Sequence, residues 1–148
     1  MEVSVYILDT LSKTKAMFKL IEKVLEHGSI RAVLLCSSRD EMLMLDDLLW
    51  SYSSISFIPH SNIEDEAIYQ DNSKIIVTNT LDGYDNGFEV LFSWNNILEV
   101  TSRSYKKVIF MYEATQQEYA RLHIDTLSSK SEISLRIFKE SGGSWSRL

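Results

Sequence analysis

The chain has 148 residues, 45% of them hydrophobic and 11% aromatic, with a net charge of −6 and one cysteine. That length fits one domain spanning residues 1–148, burying about 70% of the surface its unfolded form exposes. The lone Cys36 excludes an internal disulfide framework and a cysteine-built metal site, which suits a reducing cytoplasm. The acidic balance opposes a phosphate backbone, and no apolar run reaches the roughly 20 residues that span a bilayer, so neither direct nucleic-acid binding nor a membrane is expected. The charge is uneven: residues 1–100 carry 7 Lys and Arg against 16 Asp and Glu, whereas residues 101–148 carry 8 against 5.

In chain order, Val3 to Leu8 is a β-branched and aromatic run that predicts a buried first strand. Met17, Leu20, Ile21, Val24 and Leu25 form the apolar stripe of a helix, with Gly28 as its stop after a C-terminal His27. Arg31 to Cys36 predicts a second strand, apolar on both faces. Ser38-Arg39-Asp40-Glu41 has capping-box spacing, in which Ser38 and Glu41 satisfy each other's backbone N–H groups. The helix that follows buries Met42, Leu45, Leu48, Leu49 and Tyr52, turns Asp40, Asp46 and Asp47 to water, and leaves Trp50 off the stripe.

Ile55 to Pro59 predicts an edge strand or a strand's end, because the only proline removes a ladder donor, and residues 61–73 read as an acidic loop. Lys74 to Val77 predicts another strand, and Asp82 to Gly87 is dense in turn residues. Phe88, Leu91, Phe92 and Leu98 suggest a helix behind it. Lys106 to Tyr112 predicts a strand, and Thr115-Gln116-Gln117-Glu118 a second capping box opening a helix through Leu127, with His123 exposed at its middle. Ile133 to Lys139 alternates as a half-exposed strand, and Gly142-Gly143 releases a tail holding Trp145. Strands alternating with helices indicate a three-layer α/β sandwich with a mostly parallel, mixed sheet.

The chemistry such folds often carry is thinly represented. The turn after the first strand, Asp9 to Thr14, holds no glycine, and the five glycines make neither dinucleotide nor P-loop spacing, so no nucleotide cofactor is expected. His27, His60 and His123 have no metal-ligand spacing, and Cys36 reads as a small buried hydrophobe, so no metal and no catalytic residue is assigned. Asp9 ends the first strand, where α/β enzymes often place a carboxylate. A small-molecule- or metal-dependent enzyme built on Asp9 is therefore the alternative reading, against a simple turn or cap. Trp50, Phe57, Pro59 and His60 instead group large, rigid side chains where a helix meets an edge strand, which fits a protein-binding hot spot or, for Trp50 and Phe57, the closing of the bottom of the core.

The block Leu45-Asp46-Asp47-Leu48-Leu49-Trp50 with Ser56-Phe57-Ile58-Pro59-His60 resembles the LDxxLW…SFxPH pattern of the chi subunit of bacterial DNA polymerase III holoenzyme. Val5 to Asp9, Val33 to Cys36, Val108 to Phe110 and the helical Tyr119 to His123 resemble further family segments, whereas residues 61–105 carry little likeness. The resemblance implies a nucleotide-binding-like fold without its phosphate loop, in a non-catalytic clamp-loader subunit of the DNA replication machinery. It implies two protein partners: a psi subunit, or another clamp-loader subunit, on the surface of Trp50, Phe57, Pro59 and His60, and the acidic C-terminal tail of single-stranded-DNA-binding protein. The tail site implied by the resemblance is Arg121, with His123 and Ile124 beside it and Trp145, like a tryptophan near the end of chi chains, over the same helix. An acidic tail ending in an apolar ring needs a cationic fork next to a hydrophobic slot. The family's second arginine of that helix is His123 here, its aromatic is Ile124 and the following lysine is Asp125. An acid at that place repels an acidic tail, so binding is expected to be weakened or re-routed to Lys130, Arg136 or Lys139.

Overall fold

The computed structural model describes residues 1–26, 28–52, 59–84, 87–97 and 105–148. In chain order these form β1 (Glu2–Ile7), α1 (Lys13–Leu25), β2 (Ala32–Leu35), α2 (Arg39–Ser51), β3 (His60–Asn62), α3 (Ala67–Asp71), β4 (Ile75–Thr78), β5 (Val90–Ser93), β6 (Lys107–Tyr112), α4 (Gln117–Ser128), β7 (Ser134–Ser141) and β8 (Ser144–Arg147). The strands make one sheet in the order β3-β4-β2-β5-β6-β1-β7-β8, parallel throughout except for the antiparallel β7–β8 pair. This is the expected three-layer α/β sandwich with a mostly parallel sheet.

Two cores flank the sheet. On one face α1 and α2 pack Met17, Phe18, Ile21, Met42 and Leu45 over Leu34, Val77, Phe92 and Met111. On the other, α4 sets Ala120 and Leu127 over Val3, Val5, Val33 and Phe110, and Leu81 and Tyr105 close the layer from the connections. The central strands β2, β4 and β5 are buried at every position, as a parallel sheet covered on both faces requires.

Several local expectations are corrected. Val90–Ser93 is a strand between β2 and β6, not part of a helix. The i, i+3, i+4 spacing of Phe88, Leu91 and Phe92 also fits a short strand that is apolar on both faces, and periodicity cannot separate the two at that length. Leu98 lies outside the described residues. The stretch 61–73, expected as a loop, holds the end of β3 and all of α3. The edge strand begins at His60, after Pro59, whose carbonyl accepts from Lys74 N–H at 2.8 Å; residues 55–58 are outside the described set, as is His27. The sequence His60-Ser61-Asn62 carries no β-branched signal, and its strand is fixed by tertiary bonds.

The caps also differ in detail. Ser38 Oγ accepts from Glu41 N–H at 3.2 Å as expected, but the Glu41 carboxylate takes the Ser37 N–H at 3.0 Å instead of that of Ser38. The second capping box is Glu113 with Gln116, around a 3-10 turn at Ala114–Gln116, not Thr115 with Glu118. Gly142 (φ 59°) and Gly143 (φ 83°) both adopt left-handed backbone, the requirement of a tight two-residue hairpin turn, so the chain after them returns as β8 instead of leaving as a tail.

Phe92 is fully buried at the centre of the larger core. Phe92→Ala is expected to cost about 3–5 kcal/mol of stability, measured by urea unfolding.

Candidate functional site

Three places could carry function: the carboxyl end of the sheet, the end of α2 beside β3, and the outer side of α4.

Parallel α/β sheets bind ligands outside the carboxyl ends of their strands, and here that space begins with the loop after β1. Its backbone N–H groups at Asp9, Thr10 and Leu11 all point to one carboxylate oxygen of Glu140, at 3.0, 2.9 and 3.0 Å. The other oxygen accepts from the Thr10 hydroxyl and from Gly143 N–H at 2.9 Å. Glu140 is wholly buried. Burial alone would raise its pKa, but the Thr10 hydroxyl and the N–H groups of Leu11, Gly143 and Thr10 outweigh it and hold the carboxyl well below the usual carboxylate range. A nest of successive amides is an anion site, and the protein fills this one with its own side chain.

The rest of this end is similarly committed. Lys13, buried in the first turn of α1, donates to the Trp94 carbonyl and lies 4.9 Å over the Trp94 ring; burial lowers its pKa. Burial pushes the Cys36 thiol up to about 11, with Sγ 3.4 Å from the Thr78 carbonyl, so it is a poor nucleophile at neutral pH. Asp9 is exposed and contributes its N–H to the Glu140 nest. Among the described residues no group of three or more His, Cys, Asp or Glu could hold a metal ion.

At the end of α2, Trp50 is 57% exposed and its ring lies 4.5 Å from that of buried His60. His60 Nε2 is 3.1 Å from Asp46 Oδ1 and 3.2 Å from the Asp46 carbonyl; both are acceptors, so this nitrogen carries the proton. Asn62 donates to the other Asp46 oxygen at 3.1 Å. The structure therefore brings Trp50 and His60 together, with half-buried Pro59 next to them in the chain, while Phe57 lies outside the described residues. Asp46, expected to face water, is instead the half-buried post that orients His60 beneath the indole. Its position one helical turn before Trp50 was the available signal, since i and i+4 share a helix face.

On α4 the expected residues part company. Arg121 is exposed and pairs with Glu118 at 2.6 Å. His123, expected to be exposed, is 7% exposed: positions 120, 123 and 127 form the inward stripe, and its ring packs on Phe110 at 4.5 Å with Nδ1 bonded to the Tyr112 hydroxyl. Ile124 is half-buried against the same core. Tyr119 (70% exposed) and Leu122 (58% exposed) flank a hollow of about 480 Å³ floored by His123 and Tyr112. At 100° per residue Arg121 points well away from Tyr119 and Thr126 and a quarter-turn or more from Leu122, and it does not line this hollow. Tyr119 and Leu122 were legible as large apolar residues three apart on an otherwise polar face. Trp145 does not cover α4. It lies edge-on to Tyr6 at 5.4 Å, and Tyr6 stacks on Phe138 at 4.8 Å, on the α1 side of the sheet.

The class so defined is a doubly wound α/β domain whose carboxyl-end anion nest is closed from within. A family model described as DNA polymerase III chi subunit, HolC, matches residues 1–129, and the chain belongs to that family. It is thus an accessory subunit of DNA polymerase III in replication. The β7–β8 hairpin lies beyond the matched residues. No curated protein matches the sequence significantly. No helix among the described residues is long and apolar enough to cross a membrane.

Because folding lowers the pKa of Glu140, its stabilisation is complete above the unfolded-state value of about 4.3 and is lost as the pH falls below it. Glu140→Gln is expected to lower the melting temperature at neutral pH and to flatten the wild-type decline between about pH 5 and 3, read from thermal melts of both proteins.

Proposed function

We propose that the chain is a single-domain, non-catalytic clamp-loader subunit of the cytoplasm that binds two proteins. One is a psi subunit or another clamp-loader subunit; the other is single-stranded-DNA-binding protein, held by its acidic C-terminal tail. The observation that carries this reading is Trp50, a large exposed aromatic seated on a buried, hydrogen-bonded histidine. A rigid indole presented at low entropic cost is the usual anchor of a protein interface. The occupied Glu140 nest supports a binding role over a catalytic one at the sheet end.

For the tail, Arg121 is the proposed cation. Its present partner, Glu118, is as exposed as Arg121 itself, so exchanging that carboxylate for one from a peptide costs little. Asp125, one turn on, opposes an acidic ligand and sets the affinity low.

Calorimetric titration with the tail peptide, at about 50 mM and about 300 mM salt, is expected to show binding that weakens as salt screens the charges. Arg121→Ala is expected to abolish most of it, and absence of heat at both salts would overturn the tail assignment. Trp50→Ala is expected to cost about 2 kcal/mol or more in binding to the clamp-loader assembly while leaving the fold intact, measured by titration and circular dichroism.

A further inference from the structure

Between α1 and the β7–β8 hairpin lies a cleft of about 420 Å³ walled by Tyr6, Leu11, Phe138 and Trp145, with Lys19 and Lys23 on its α1 bank. The aromatic wall is continuous: Phe138 stacks on Tyr6, and Trp145 meets Tyr6 edge-on. Leu11 and Trp145 remain 38% and 42% exposed, so the slot is apolar and open. Arg147 faces Phe138 in the hairpin register, and opposed residues of an antiparallel pair project to the same side, which places a third cation on the hairpin bank. Lys19, Lys23 and Arg147 are exposed, and none is in an ion pair among the described residues. The acid that projects from the hairpin on this side, Glu140, is consumed by the loop after β1.

We propose that this cleft docks an acidic peptide segment carrying an aromatic side chain, the ring entering between Leu11 and Trp145 and the flanking carboxylates meeting the lysines and Arg147. Charge complementarity selects the occupant: cations lie on both banks of an aromatic slot, in a protein whose net charge is −6. A polyphosphate strand needs a longer basic track than these three side chains supply. β8 is the last strand of the sheet and exposed along its length, so its outer backbone groups are open to an extended peptide running past the cleft. The site lies across the sheet from α4 and is completed by the hairpin outside the family match, so it is independent of the role given to Arg121.

The test is titration of the full chain with acetyl-Asp-Asp-Phe-Asp-Asp-amide, capped at both ends so that no terminal carboxylate is offered. Binding to the wild type is expected, roughly ten-fold weaker in the Lys19→Glu, Lys23→Glu double variant and unchanged in Arg121→Ala. Both lysines are exposed on a helix surface, and circular dichroism verifies that the variant is folded. No binding, or equal binding by the double variant, overturns the proposal. Loss confined to Arg121→Ala places the peptide on α4, which overturns this site and leaves the tail reading standing. Binding of an oligothymidine that the lysine reversals abolish, with none of the peptide, makes the cleft a nucleic-acid site and also overturns it.

Discussion

The Glu140 carboxylate accepts hydrogen bonds from the N–H groups of Asp9, Thr10 and Leu11, and in doing so joins the last hairpin to the loop that leaves the first strand. Its second oxygen holds the hairpin turn through Gly143. The arrangement resolves two problems with one group. Successive amides turned toward one point need an anion, and a wholly buried carboxylate needs donors in number to remain charged. Each supplies what the other lacks, so neither the loop nor the hairpin can be repositioned alone. The start of α1, the mouth of the aromatic cleft and the end of β7 all take their placement from this contact.

The outer layers of the fold were readable because they obey simple periods. The stripe from Met17 to Leu25, the all-apolar β2 and the capping serine at Ser38 each have one physical solution, and the structure adopts it. The middle of the chain was harder for identifiable reasons. β5 is four apolar residues, too short for its period to show, and β3 is three polar residues held by bonds to α2 and β4 that no local pattern encodes. The Gly142-Gly143 pair marked a turn, but whether a strand followed depended on whether Trp145 found an aromatic wall to lie against, which is a tertiary matter.

The candidate site divides in the same way. Trp50 stood out because it broke the apolar stripe, and it is indeed exposed; what lies beneath it, His60 held by Asp46, joins residues 14 positions apart in the chain. On α4 the family resemblance set His123 beside Arg121, yet two positions apart on a helix means opposite sides. His123 serves the core and Arg121 the solvent. Trp145 is removed further still, by the whole thickness of the sheet.

The position of β1 has a consequence for how the molecule comes into being. Glu2 pairs with Lys107 on one side and with Ser134 on the other, so β1 is flanked only by strands made long after it. A nascent chain can pair β2 with β4 and β5 while it is still being extended, but β1 stays without a neighbour in the sheet until β6 and β7 leave the ribosome. Contacts of such long sequence separation close slowly, and an unpaired hydrophobic strand is the form of a chain most open to chaperones and to unwanted pairing. The late hairpin that ties down Glu140 is therefore also the step that ends this exposure.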